Sequence, residues 1–373
     1  MTTPVKGIFA EQICQLRKNA LHERKVRDLS TVIAAWIEKD NLHKGPGEAL
    51  VLILNSQGCS WGLGKEGGCS MCGYSNETSE GITSAHLIAQ VKTALEEFTD
   101  KKFQAVKIFN SGSFLDESEI PCDAQIAILE MISSFSNVSE IIIESRPEFV
   151  IDKSLEKLTK ILKNKIQLEI GIGLESSNDS IRINNINKGF HFSDYQKAVS
   201  IAIKHNVRVK TYLLLKPPLL TEKEAINDTI QSALDAIKAG SRSISINPVN
   251  VQTGTFVYHL WQNGLYRSPW YWSLKEVIQV LWKKIEEENL IDKIDRILSD
   301  PSGAGTQRGI HNCRQCNNQF IKNLKEYSIH QNPVILDAIQ CSCFNVWKEL
   351  LEQEQDSRDL TIHKTEQAMN LLK

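Results

Sequence analysis

Seven of the nine cysteines in this 373-residue chain fall into two groups. Cys59, Cys69 and Cys72 lie in "NSQGCSWGLGKEGGCSMCGYSNE" (55–77), spaced C-x9-C-x2-C among glycines. Three thiolates are one short of a closed tetrahedral site. Iron–sulfur clusters are held by cysteine thiolates, usually four. A [4Fe–4S] cluster with only three leaves one iron open. S-adenosylmethionine can chelate such an iron through its amine and carboxylate, and an electron then breaks its S–C5′ bond to give a 5′-deoxyadenosyl radical. The glycines let the backbone wrap such a group closely. A zinc site of three thiols completed by a distant histidine, or an unligated group, are the plainer readings.

The second group, Cys313, Cys316, Cys341 and Cys343, has the spacing C-x2-C-x24-C-x-C. Two close pairs separated by a hairpin-sized span fit a tetrahedral Zn2+ site. An auxiliary iron–sulfur cluster and free thiols are the alternatives, with His311 as a substitute ligand. Cys14 and Cys122 stand alone and carry no expected role.

The cysteine loop needs elements to position it. Residues 49–54 form an apolar strand, and the loop follows directly. Residues 83–98 read as an amphipathic helix with Thr83 or Ser84 as N-cap. Strands are expected at 105–109, 140–144, 167–173, 208–215 and 243–248, with helices near 124–135, 153–162, 193–205 and 222–239. This alternation argues for a parallel sheet, and "EIIIES" or "VKTYLLL" are apolar on both faces, as a buried parallel sheet requires. "GIGLES" (171–176) lacks the third glycine of a dinucleotide fingerprint. The expectation is therefore an α/β fold, a partial (β/α)6 TIM-like barrel with its site at the C-terminal strand ends.

Apolar residues from Ile13 to Ile37 recur at roughly helical spacing, so residues 1–47 are expected to form an N-terminal helical extension. Residues 48–250 would be the barrel, and 251–373 a C-terminal region with a small metal-binding subdomain. The aromatics Trp261, Trp270, Tyr271 and Trp272 either stack on a base or pack the two parts together.

Forty-three basic against forty-five acidic residues leave a formal charge of -2, so the chain as a whole is not a basic nucleic-acid binder. The basic stretches 22–28 and 153–165 read as solvated helix faces rather than phosphate contacts. No apolar run approaches a membrane span, and the first residues lack the apolar core of a signal peptide. A cytoplasmic protein is expected, where clustered cysteines serve metals or redox chemistry.

A three-cysteine loop after the first strand of such a series resembles that of the radical SAM enzymes. Their commonest signature is C-x3-C-x2-C with an aromatic before the last cysteine; here the first gap is nine residues and Met71 precedes Cys72. The longer gap resembles the branch containing the catalytic subunit of Elongator, which modifies tRNA. "NSGSFLDE" (110–117) falls where that branch has its loop for the methionine amine. "ESRPE" (144–148) resembles a motif after its third strand, and "LEIGIGLES" (168–176) its fourth-strand segment. The resemblance spans about residues 48–250. It implies a [4Fe–4S] cluster on Cys59, Cys69 and Cys72, and cofactor contacts by Tyr74, Ser111, Gly112, Ser113, Arg146 and Glu175. Structural alternatives stand beside these: a plain turn at 111–113, an Arg146–Glu144 ion pair, a helix cap by Glu175, and a core position for Tyr74. Lys210 and Lys216 flank an apolar strand, with Lys210 directed into or across the barrel.

With the terminal "CSCFNVW" (341–347), the pattern is similar to the archaeosine-biosynthesis radical SAM family. That resemblance implies a tRNA substrate, an external reductant, and a partner archaeosine synthase that attaches lysine to the 7-deazaguanine at tRNA position 15. The radical would abstract hydrogen beside the amidine nitrogen, and loss of an electron and C–N cleavage would then leave archaeosine on the base. No side-chain base could remove that weakly acidic hydrogen. A related enzyme acting on another base or a small molecule, or a non-catalytic metal-binding scaffold, are the competing readings.

Overall fold

The computed structural model describes residues 5–21, 27–163, 165–354, 363–368 and 370. One eight-stranded sheet organises them: β1 (Ala34–Leu42), β2 (Gly45–Ile53), β3 (Ala105–Phe109), β4 (Glu140–Ser145), β5 (Gln167–Glu175), β6 (Arg208–Leu215), β7 (Ser243–Pro248) and β8 (Arg296–Leu298). Strand order in space is strand order in sequence. β1 pairs antiparallel with β2, and every later pairing is parallel. No β8–β1 pairing closes the sheet, which is a partial barrel.

The helices are α1 (Ala10–Leu21), α2 (Ser60–Leu63), α3 (Ser84–Glu97), α4 (Cys122–Ser133), α5 (Asp152–Leu162), α6 (Phe192–Lys204), α7 (Glu222–Ala239), α8 (Phe256–Gln262), α9 (Tyr271–Glu287), α10 (Asn317–His330) and α11 (Cys343–Gln353). Thr83 caps α3 by accepting from the His86 amide. The core lies between strands and helices. Leu50, Leu52, Val106, Ile108, Ile141, Ile143, Ile170, Ile172, Val209 and Leu213 belong to one buried cluster with apolar residues of α3–α7 and α9. Because successive strand side chains alternate, the intervening positions line the barrel's inner face.

That inner face is charged at its base. Arg296, almost fully buried, donates to Glu140 at 3.0 Å and also to Glu169. Lys107 pairs with Glu38 at 2.6 Å and with Asp40. β1, β3, β4, β5 and β8 are thus tied by ion pairs inside the barrel, where an unpaired charge is costly. Lys210 is buried there among Asp40, Lys107, Arg296 and Glu169, and burial lowers its pKa.

The six expected parallel strands are present, and two more join them. The helical extension expected over residues 1–47 is corrected: α1 spans Ala10–Leu21, and residues 34–42 form β1. Positions 22–26 lie outside the described residues. The apolar residues Ile33, Ala35 and Ile37 fit a strand period as well as a helical one; Ala35 and Ile37 meet the core while Glu38 and Asp40 face Lys107. The series does not stop at 248 either, since β8 extends the sheet beyond residue 250.

Candidate active site at the mouth of the barrel

The cysteine loop leaves β2 and crosses the C-terminal end of the sheet. Cys59 precedes the single turn α2, and the Cys72 amide donates to the Cys69 carbonyl at 3.2 Å, closing a tight turn between those thiols. Three other segments clasp the loop. From the segment after β5, the carbonyls of Ile186, Asn185 and Asn187 accept from Ser70 N, Ser70 Oγ and Trp61 Nε1 at 2.8, 2.7 and 2.8 Å. Ahead of α8, Gln252 accepts from the Gly73 amide and the Thr253 carbonyl from Asn76. Beneath it runs α1, whose buried Arg17 donates to the carbonyls of Cys72 and Gly67. A Cβ on Gly67 (φ +73°) would lie 2.3 Å from the Cys14 Cα. The glycines thus let the loop pack on α1 and on itself.

Burial pushes the Cys59 thiol up to about 11, with the Glu119 carboxylate adding to it. Burial also raises Cys69 and Cys72. Opposing it are three cations: Arg146 beside Cys59 and Cys69, Lys188 beside Cys69, and Arg17 beside Cys72. Such thiols stay protonated until a metal displaces the proton, and the cations then favour the thiolate form.

The loop after β3 meets the cysteine loop through a residue the sequence did not single out. Glu119, almost fully buried, accepts from Ser60 N at 2.7 Å, from Ser113 N, and from Asn110 Nδ2 at 3.4 Å. Burial pushes its carboxyl up to about 7. A Cβ on Gly112 would stand 1.9 Å from Glu119 Oε2 and 3.0 Å from the Cys59 Cα. Ser111 (φ 58°) turns the chain, and Ser113 Oγ accepts from the Arg146 amide at 3.1 Å.

Arg146 pairs with Glu148 at 2.5 Å, not with Glu144. Its guanidinium donates to the Lys188 carbonyl at 2.9 Å and lies 5.0 Å from the Trp61 ring and 5.5 Å from the Phe190 ring. Glu175 ends β5 with φ 65° and binds Lys188 Nζ at 2.8 Å, so it caps no helix through that carboxylate oxygen. Tyr74 is 51% exposed at the rim, facing Gln252 and Ser302. Lys216 is engaged with buried Glu222.

The C-terminal cysteines come together separately. The four sulfurs lie within 4.8 Å of one another, with Cys313–Cys316, Cys313–Cys341 and Cys316–Cys343 at 3.6, 3.4 and 3.6 Å. A tetrahedral ion with bonds of about 2.3 Å puts its sulfurs slightly under 4 Å apart. This group could hold one such metal ion. His311 is not part of it; its Nδ1 meets the Gly309 carbonyl at 2.9 Å. Trp272 donates to Cys343 Sγ at 3.3 Å and packs edge-on against Phe320 and Phe344, while Tyr271 stacks on Phe320. These two aromatics pack the four-cysteine group onto the barrel. Trp270 carries the Arg267 guanidinium at 3.9 Å, and Trp261 pairs with Tyr258. Among the described residues no helix is long and apolar enough to cross a membrane.

A parallel partial barrel with a three-cysteine loop over its mouth is the architecture expected of a radical SAM enzyme. The chain belongs to the archaeosine synthase subunit beta family. It is 40% identical to the archaeosine synthase subunit beta of Methanosarcina acetivorans over 86% of this chain and 90% of that one. With the subunit of the same name from Thermococcus kodakarensis, identity is 38% over 85% and 96%. An uncharacterized protein of Methanocaldococcus jannaschii is 38% identical over 95% and 96%. No family model matches the chain. Among solved structures, the archaeal Methanocaldococcus infernus Elp3 with an N-terminal deletion gives a TM-score of 0.46 at 15% identity, over 66% of this chain and 59% of that one.

Proposed function

We propose that this chain is the radical SAM component of archaeosine synthesis, with Cys59, Cys69 and Cys72 holding a [4Fe–4S] cluster at the barrel mouth. The observation that carries this is the arrangement of the three thiols. They line the barrel mouth on one glycine-rich loop beside Arg17, Arg146 and Lys188, with no fourth cysteine in that loop. Three thiolates leave one iron of a [4Fe–4S] cluster without a protein ligand. The donor set fits the group, and its missing fourth member is the open position.

With S-adenosylmethionine at that position, the cofactor pair supplies a 5′-deoxyadenosyl radical. The protein's part is to bind and orient. Ser111, Gly112 and Ser113, fixed by Glu119, would face the methionine end. Glu175, held by Lys188, is the acceptor for a ribose hydroxyl. Arg146 braces Trp61 against the loop, and Tyr74 at the rim is the adenine-side contact. Enclosure of the mouth limits side reactions of that species.

The substrate is tRNA bearing a lysine adduct on 7-deazaguanine at position 15. The reaction cleaves the lysine-derived C–N bond and leaves archaeosine. The relatives' designation as a beta subunit supports a second subunit, which in this reading transfers the lysine. The near-neutral charge fits a chain that borrows RNA affinity from that partner. The C-terminal thiols would hold structural zinc, since their spacing suits one ion better than a cluster. The reaction belongs to the cytoplasm and uses an external reductant.

The test is anaerobic reconstitution with S-adenosylmethionine, a reductant and adduct-bearing tRNA. Release of 5′-deoxyadenosine with conversion of the adduct is expected, and replacing any of Cys59, Cys69 or Cys72 by Ala abolishes both. 5′-Deoxyadenosine without loss of adduct would overturn the substrate; none at all, with an intact cluster, would overturn the enzyme reading.

A further inference from the structure

Of the acidic groups that the strands turn into the barrel, all but one have a cation. Glu38 and Asp40 have Lys107, Glu140 and Glu169 have Arg296, and Glu175 has Lys188. Glu144, at the C-terminal end of β4, has no basic group in ion-pair contact among the described residues. Lys210 and Lys188 act on it only from a distance. The hydroxyl that acts on it is that of Tyr212, two strands away on β6.

That bridge depends on bare backbone between them. Gly171 on β5 is in register with both Glu144 and Lys210. A Cβ there would lie 2.6 Å from a Tyr212 ring carbon, so the ring crosses β5 where no side chain stands. The glycines of "GIG" thus clear space inside the barrel; a Cβ on Gly173 would likewise sit 2.7 Å from Lys188 Nζ. Glu144 and Tyr212 are half-buried and open to the mouth, while Glu140, Glu169 and Lys210 beneath them are buried. The pair forms the floor of the mouth.

The charges are polarised. Arg17, Arg146 and Lys188 gather on the cysteine-loop side, and Glu144 is the acid left without a counter-ion on the floor. Burial holds its carboxyl at about 7, the condition of an acid lacking its cation. One carboxylate and one phenol offer too few oxygens for a divalent metal. They suit a primary ammonium group, which donates up to three hydrogen bonds.

We propose that Glu144, positioned by Tyr212, anchors the free α-ammonium of the amino-acid appendage on the tRNA base. This rests on the function proposed above. It would draw the appendage down into the mouth and place its far methylene near the cofactor.

The test compares two tRNA substrates, one with the lysine adduct and one with 6-aminohexanoate in its place, which lacks only the α-amine. The intact protein should favour the lysine adduct by about 10- to 100-fold in kcat/KM, the worth of a hydrogen bond to a charged group. Glu144→Gln should lose that preference, mostly through KM on the lysine adduct, while the affinity for S-adenosylmethionine and the iron content are retained. Tyr212→Phe, which keeps the ring, should lose part of it. Undiminished preference in Glu144→Gln, or equal loss on both substrates, overturns the proposal, as does weakened S-adenosylmethionine binding. If the intact protein leaves the lysine adduct unconverted, the functional reading itself fails and takes this inference with it.

Discussion

Glu119 accepts the Ser60 amide hydrogen at 2.7 Å, and that bond joins the two loops that build the mouth. The same carboxylate takes the Ser113 amide, so Cys59's turn and the Ser111–Ser113 loop share one buried acceptor. Gly112 faces it because any side chain would overlap the carboxylate.

Replacing Glu119 with Ala should therefore loosen both loops at once. The buried Ser113 amide and the part-buried Ser60 amide lose their acceptor, the buried one at about 1–3 kcal/mol. The expected result is a lower melting temperature and incomplete iron loading after reconstitution. Normal iron content and unchanged melting would show that the two loops hold without it.

Arg296 is the counter-charge for two buried acids. Arg296→Ala leaves Glu140 without its ion-pair partner and Glu169 with only Arg208 at 4.0 Å, and should cost about 3–5 kcal/mol in chemical denaturation. A loss below about 1 kcal/mol would mean that solvent reaches the base of the barrel.

Glu144 makes stability fall as pH rises. Its folded pKa of about 7 stands above the ordinary 4.5, so the unfolded chain releases this proton first. The penalty is absent below pH 4.5, grows between 4.5 and 7, and is complete above 7. Glu144→Gln removes it. The variant's melting temperature should gain on the unaltered protein from pH 5 to pH 8; a constant difference across that range would refute the assignment.

The C-terminal thiols should bind one zinc per chain, distinct from the cluster iron. Cys316→Ser should lose the zinc and destabilise the region around α10 and α11, while iron at the mouth is retained. Additional iron in place of zinc, measured by metal analysis, would favour an auxiliary cluster.

Much of this was legible in the chain. The strands at 105–109, 208–215 and 243–248 and the helix at 222–239 match their expected spans, because buried parallel strands and amphipathic helices carry strong periodic signals. β1 was misread because Ile33 and Ile37 serve either period, and β8 because three residues carry no period at all. Arg17, Glu119, Lys188 and Tyr212 were not singled out, and Glu144 was named only as an ion-pair partner for Arg146. Glu119 stands seven positions after Gly112 in an acidic stretch, a signal only in hindsight.

Cysteine spacing, glycine placement and the alternation of strands and helices determined by themselves that a thiol-rich loop would sit at the end of a parallel sheet. Those are local properties, fixed by backbone geometry and side-chain period. Which charges gather on the thiols, which acid ties two loops together and which acid remains unpaired were decided by tertiary structure. Arg17 and Lys188 reach the loop from segments more than forty and more than a hundred residues away, and a pairwise electrostatic contact depends on distance in space, of which sequence separation carries no record.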